Sequence, residues 1–326
     1  MIISRTPMRI SFAGGGSDLA VYYNRGFGSV ISTAIDKYIF ITVNKKFDDL
    51  IRVSYSKTEM VETVDQIEHN IIREALKLVG IDRGVDIVYM GDLPLGSAGV
   101  GLGSSSSLAV GVLNALYAYI GKHVSAERLA REACKIEIDI LKNPIGKQDQ
   151  YAAAYGGMNY LKFNQDENVF VEPIICKRET KEKISKKLML FYTGIERISS
   201  NILKEQKQRI DENYKYLDET VNLSDILRKS IIENDFSAVG KILHKGWMYK
   251  RQFASGISNS VIDTHYNNAI SAGAVGGKVL GAGGGGFLLF FCEEELQDNV
   301  RKALSELKET PFRFEPQGSK IIYVCD

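Results

Sequence analysis

Short segments in which apolar and polar positions alternate open the chain. Ile2–Ser4, Met8–Phe12, Ser29–Ile35 and Tyr38–Lys45 are rich in Ile, Val, Tyr and Phe and are separated by glycine or charge, the pattern of β-strands. Ile51–Tyr55 and Val85–Met90 continue it. Between Asp65 and Val79 the period lengthens. Ile67, Ile71, Ala75 and Leu78 fall on one face of a helix that Gly80 would end. Leu108–Ile120 is apolar almost all round, which predicts a buried helix closed by Gly121. Another helix is expected from the cap Ser125 to about Leu141. The charged stretch Lys177–Lys187 reads as a loop between two lobes. Residues 200–250 are helical in period and mostly polar, and Lys278–Leu280, Phe287–Cys292 and Lys320–Val324 read as strands of the second lobe. The expected architecture is α+β, with a β-rich lobe over 1–175 and an α+β lobe over 176–326.

Composition narrows the function without naming it. The 326 residues are 44% hydrophobic and 25% charged, with 41 basic against 40 acidic residues. A net charge of +1 gives no bulk field for nucleic acid or an anionic membrane, so any anion must be held by local geometry. Cys134, Cys176, Cys292 and Cys325 are far apart and form no CxxC, as for thiols in a reducing compartment. The N-terminus has no basic region followed by an apolar run, and the longest apolar run, near Phe287–Cys292, is too short to span a bilayer. A cytoplasmic location is expected. Nothing in the pattern specifies an oligomeric state.

One loop carries a chemical signal. Pro94-Leu-Gly-Ser-Ala-Gly-Val-Gly-Leu-Gly-Ser-Ser-Ser-Ser107 lies between a strand and the buried helix. Glycines at 96, 99, 101 and 103 allow close backbone approach to a ligand. Serines then open the helix, whose first N–H groups and positive dipole end favour an anion, best a phosphate. The plain alternative is a glycine-rich turn with a serine cap, and four serines at a buried helix start weigh against it. No lysine follows as in GxxxxGK[ST], and no strict βαβ unit precedes the loop as in a dinucleotide fold.

Two carboxylates follow. Glu137 falls in the apolar stretch Ile136-Glu-Ile-Asp-Ile140, where an unpaired charge is costly, with Asp139 as its local competitor. Asp149 falls in Pro144-Ile-Gly-Lys-Gln-Asp-Gln-Tyr-Ala-Ala-Ala-Tyr-Gly-Gly157. Phosphoryl transfer needs a hard oxygen ligand for Mg²⁺ and a carboxylate at the acceptor hydroxyl, and two carboxylates on adjoining elements can divide those roles. On spacing alone the pair is weak, because Asp and Glu are common and usually solvated. At the N-terminus, Thr6-Pro-Met-Arg-Ile-Ser-Phe-Ala-Gly-Gly-Gly-Ser-Asp18 puts Arg9 on a strand that ends in a tight turn before Asp18.

Taken together, these motifs resemble the GHMP kinases. Gly101-Leu-Gly-Ser-Ser105 matches the core of that family's PxxxGLGSS loop, with about two extra residues after Pro94. The resemblance implies a two-lobed fold, ribosomal-protein-S5-like in the N-terminal lobe and ferredoxin-like in the C-terminal lobe. It also implies that ATP and Mg²⁺ bind between the lobes. Gly99, Gly101, Gly103, Ser104, Ser105 and Ser106 would hold the phosphates. Glu137 and Ser105 would hold the metal, with Ser104 and Ser106 as rivals of the serine. Asp149 would be the base and Arg9 its cation. Gly15, Gly16, Ser17 and Asp18 would meet a sugar, the two glycines leaving more room than the bulkier pair of galactokinases.

The AGGGSD and GKQDQYAAAYGG forms look most like the heptose 7-phosphate kinase branch, which phosphorylates an anomeric hydroxyl. Gly276-Gly-Lys-Val-Leu-Gly-Ala-Gly-Gly-Gly-Gly-Phe287 resembles the third family motif, which would bring Gly283 and Gly284 to the site. Trp247-Met-Tyr-Lys-Arg251 reads either as core packing or as a grip on a phosphate already on the sugar, through Lys250 or Arg251. Lys147 and Arg197 are rival cations. The remaining readings are a kinase for another sugar or a mevalonate-like alcohol, a decarboxylase of the same fold, and a nucleotide-binding regulator without turnover.

Overall fold

In a computed structural model, which describes residues 1–93, 101–195 and 199–325, the alternation of the first ninety residues becomes one sheet. The strand β1 (Ile2–Ala13) and, after the single turn α1 (Ala20–Tyr23), the strand β2 (Phe27–Lys45) are each continuous where the pattern suggests two. Their pairing shifts register between Pro7 and Met8 and between Ser11 and Ala13, so the strands bend at these bulges and do not end. There follow β3 (Ile51–Ser54), β4 (Thr58–Val61), α2 (Asn70–Val79), β5 (Val85–Gly91), α3 (Ser104–Tyr119), α4 (Ala126–Cys134), α5 (Gln148–Tyr155), β6 (Met158–Asn164) and β7 (Val169–Pro173).

The helix predicted from Asp65 starts at Asn70. Glu59 accepts the Glu68 N–H at 2.6 Å and the His69 N–H at 3.2 Å, which holds the preceding residues out of the helix. Gly80 ends α2 in the left-handed conformation, as the sequence indicates.

The second half contains α6 (Arg178–Lys186), β8 (Leu188–Tyr192), α7 (Ser199–Gln208), α8 (Ile210–Glu233), α9 (Ser237–Lys250), α10 (Ser260–Ser271), β9 (Gly276–Val279), β10 (Phe287–Phe291), α11 (Gln297–Ala303), β11 (Lys308–Glu309) and β12 (Lys320–Val324). Two expectations are corrected here. Lys177–Lys187 contains a helix and not a loop: its buried positions Thr180 and Ile184 are four apart, a stripe too narrow to stand out among the charges. Lys320–Val324 is a strand, but it belongs to the first sheet, antiparallel to β1 from Ile2↔Val324 to Arg5↔Lys320. Most of its side chains are exposed, so it is held by main-chain pairing along an open edge and not by burial.

Among the described residues the first sheet runs β12-β1-β2-β5-β3-β4, with β6 and β7 added along β2, and the second is an antiparallel β11-β8-β10-β9 sheet. The buried α3 lies across β1 and β2 with Leu108, Val112, Leu113 and Leu116 at 0–3% exposure, which fixes where its N-terminus points. A second core gathers Trp247, Tyr266, Phe191 and Phe290. The long α8 joins the halves. Ser224 meets Ser29 through their hydroxyls at 2.6 Å, and Tyr160 donates to Asp225 at 2.8 Å.

Ending the chain at Ser319 would bare the outer edge of β1. The expected result is a lower thermal midpoint with increased light scattering, because an unpaired edge recruits other strands. A truncated chain that melts and scatters like the full one would show that β12 does not protect the edge.

Candidate active site

The site is built where α3 begins. Gly103 sits at the helix cap with φ +75°, leaving the N–H groups of the first turn without helical acceptors. Ser104 and Ser105 are open, whereas Ser107 is buried and donates to the Pro7 carbonyl at 2.9 Å, a purely structural bond. Gly99, with Pro94 and Gly96, lies outside the described residues. The end of the loop is held from below by β1. The Arg9 N–H donates to the Leu102 carbonyl at 3.0 Å, and Arg9 Nη1 donates to the Gly101 carbonyl at 2.8 Å.

Beyond α4 the helix widens into a π-type turn over Lys135–Ile140. This turn presents Glu137 inward and leaves Asp139 at the surface. Glu137 is fully buried and accepts from Ser105 Oγ at 2.5 Å, Ser106 Oγ at 2.7 Å and Gln150 Nε2 at 2.6 Å. Burial pushes its carboxyl pKa up, the three hydrogen bonds pull it down, and the charge of Asp149 adds to the rise. A carboxylate and hydroxyl oxygens beside a helix start form a donor set suited to Mg²⁺ with phosphate ligands.

Asp149, in the first turn of α5, meets Arg9 as a fork: Nε to Oδ1 and Nη2 to Oδ2, both at 2.7 Å. Arg9 is 4% exposed and Asp149 24%, so the carboxylate turns its remaining lone pairs to the open side. Asp18 lies deeper. Its carboxylate accepts from the Gly16 N–H at 3.0 Å and the Gln148 N–H at 3.3 Å. Burial and then the charge of Asp149 raise its pKa, against hydrogen bonds from Gln148 and Gly16.

These groups line a cavity of about 420 Å³ between the lobes. The first lobe contributes Arg9, the Gly14–Gly16 turn, Asp18, Gly101, Gly103, Ser104–Ser106, Glu137 and Asp149, and the second contributes Gln206, Thr220, Lys250, Lys278 and Gly281. The lobes touch at two glycines: a Cβ on Gly281 would lie 2.4 Å from the Gly101 Cα, and one on Gly101 would lie 2.7 Å from the Leu280 carbonyl oxygen.

Five expected substrate contacts lie elsewhere. Ser17 is wholly buried, donating to the Gly14 and Ser29 carbonyls at 2.7 and 3.0 Å, and pins the turn. Gly283 and Gly284 pack on Ile257, two residues beyond the cavity-lining Gly281 and Ala282. Lys147 pairs with Glu167 over the Tyr23 ring. Arg251 pairs with Asp263 at 2.9 Å; it follows Lys250, and a helix turns each residue away from its neighbour. Arg197 lies outside the described residues.

Several cavity residues are given no role by the sequence, among them Ser11, Gln148, Gln206, Thr220 and Lys278. A lysine inside the apolar strand Gly276–Val279 is a readable signal in hindsight, whereas Gln206 sits in a polar helix with nothing to single it out. Lys278 is 7% exposed and donates to the Phe12 carbonyl at 3.1 Å. Burial, then the nearby Arg9 charge, pulls its pKa down to about 7.

Residues 69–157 match the GHMP kinases N terminal domain and residues 227–309 the GHMP kinases C terminal. The chain is 30% identical to D-glycero-alpha-D-manno-heptose 7-phosphate kinase of Campylobacter jejuni, over 98% of each chain. It is 24% identical to a galactokinase of Pyrococcus furiosus, over 93% of this chain and 92% of that one. A crystal structure of a D-glycero-D-manno-heptose 1-phosphate kinase from Bacteroides thetaiotaomicron superposes with a TM-score of 0.82, covering 100% of both chains at 24% identity.

The buried Lys278 gives stability a pH dependence. An unfolded lysine titrates near ~10.4, and in the folded chain Lys278 titrates at about 7. Between those values the unfolded chain holds the extra proton, so the ligand-free protein should gain stability as pH rises through the window. Denaturant titrations across it should show that slope in the native chain and a shallower one in Lys278→Met. Parallel curves would show that Lys278 keeps ordinary lysine titration.

Proposed function

The chain belongs to the GHMP kinase family of ATP-dependent phosphotransferases, and from that premise we propose that it moves the γ-phosphoryl group of ATP to the anomeric hydroxyl of a heptose 7-phosphate, giving the 1,7-bisphosphate. The observation that carries the reading is the meeting, at one cavity, of the α3 start, the buried Glu137 and the forked Arg9–Asp149 pair. Similarity along the whole chain to the Campylobacter jejuni enzyme favours a heptose phosphate over other sugars. We take 1–175 and 176–326 as the two lobes, with β12 returned to the first sheet. A cytoplasmic place of work suits the thiols of Cys134, Cys176 and Cys292. No helix of the described residues is long and apolar enough to cross a membrane.

The geometry supports the following chemistry. N–H groups around Gly103–Ser106 receive the ATP phosphates at the positive end of α3. Glu137 and the Ser105 hydroxyl would hold Mg²⁺, which supplies charge neutralisation at the β- and γ-phosphoryl oxygens when bound. Asp149 orients the acceptor hydroxyl. As the acceptor oxygen bonds to the γ-phosphorus, the bond to the β,γ-bridging oxygen breaks, ADP leaves, and the hydroxyl proton passes to Asp149. Arg9 fixes the carboxylate by both oxygens and steadies charge on the transferring group. Asp18 accepts from sugar hydroxyls, and Lys278 offers positive charge to a substrate phosphate.

Asp149→Asn should cut kcat by about 10²–10⁴-fold while ATP and sugar still bind, because Asn keeps the size and loses the proton acceptor. Calorimetry with single-turnover rates separates binding from chemistry, and a near-normal single-turnover rate would remove Asp149 as the base. The acceptor is tested directly by comparing heptose 7-phosphate with unphosphorylated heptose. The phosphorylated sugar should have the higher kcat/KM, and equal values would reject a distal phosphate as part of recognition.

A further inference from the structure

Three polar atoms around the cavity have no hydrogen-bond partner among the described residues: Ser11 Oγ on β1, Gln148 Oε1 at the start of α5 and Gln206 Nε2 on α7. They surround one turn. A Cβ on Gly15 would lie 3.7 Å from Ser11 Oγ and 3.8 Å from Gln148 Nε2, and a Cβ on Gly16 would lie 2.6 Å from Gln206 Nε2. Gly16 has φ +99°, so its place is closed to a side chain by both conformation and space. The bare turn is what lets the amide of Gln206 come down beside it.

Gln206 is 5% exposed. A buried N–H without an acceptor loses its hydration and gains nothing, so a leucine or methionine would serve the fold better. The helix that carries the amide is nevertheless anchored. Next to Gln206, Glu205 accepts from the Ser255 N–H at 2.8 Å and from Ser255 Oγ at 2.9 Å, and Ile202, one turn earlier, packs against Gly256. A ligand with adjacent hydroxyls can satisfy the three orphaned atoms together, donating to Gln148 Oε1, pairing with Ser11 Oγ and accepting from Gln206 Nε2.

We propose that Gln206 is the acceptor-specificity residue supplied by the second lobe, reading one hydroxyl of a polyol whose neighbouring hydroxyls meet Ser11 and Gln148. The inference rests on the sugar-kinase reading of the cavity and adds the residue that selects the sugar. Lys147 and Arg251, paired at the surface, take no part in it.

The test uses the full chain and Gln206→Leu, with a non-hydrolysable ATP analogue present and heptose 7-phosphate, L-fucose and D-galactose as probes. Calorimetry should show Kd for the bound sugar rising about tenfold in the variant, with Kd for the ATP analogue moving less than about twofold. The ligand-free variant should melt at or above the native midpoint, since it loses an unsatisfied amide. An unchanged sugar Kd overturns the inference. A lower midpoint in the ligand-free variant also overturns it, whichever sugar binds, because Gln206 would then be structural. Binding of none of the three sugars by the native chain would overturn the acceptor assignment and the inference with it, whereas sugar binding with an unchanged Kd in the variant overturns the inference alone.

Discussion

The rest of the site depends on the buried guanidinium of Arg9. It binds both oxygens of Asp149 on α5 and the Gly101 carbonyl, while its own N–H holds Leu102. One residue of β1 thereby sets the end of the glycine-serine loop, the cap of α3 and the direction of the carboxylate. A buried fork of this kind contributes little net stability against an apolar replacement, but losing one partner strands the other charge. Its value is positional, since donors that are already aimed need no reorganisation when charge develops.

Glu137 performs a parallel service from the other side. Its two oxygens gather Ser105, Ser106 and Gln150, so the π-type turn, α3 and α5 converge on one carboxylate. Widening the helix at Lys135–Ile140 turns this one acidic side chain inward from an otherwise ordinary amphipathic segment. Such local departures from the α period are common at functional sites. Together the arginine and the glutamate brace the helix start from two sides.

The first-lobe half of this arrangement could be read from the sequence because each part announces itself locally. A glycine-serine run before an apolar helix, a carboxylate among isoleucines and an arginine before a triple glycine each break the expected pattern. The second-lobe half could not be read this way. Gln206 and Thr220 reach the cavity only because α7 and α8 pass over it, and no local pattern records that path. Spare cations misled for the same reason: Lys147 and Arg251 look available in the sequence, but Glu167 and Asp263 lie within reach once the chain is folded. The third glycine motif was recognisable, yet which of its glycines touches the loop depends on where Ile257 packs, so the contact falls at Gly281 and not at Gly283. The strand β12 was legible as a strand and not as a neighbour of β1, since pairing along an edge leaves no mark in its exposed side chains.

The pairing of β12 with β1 also orders events in time. Synthesis is vectorial, so the strand carrying Arg9 leaves the ribosome before its outer neighbour. The whole second lobe is made between the two. The nascent chain must therefore hold β1 against β2 with one flank unpaired while the second lobe is made. Closing that flank is a contact of very long range, of the sort that folds slowly. Completion of the first sheet thus waits on β12, and the half-made protein is most exposed to wrong partners along the strand that carries Arg9.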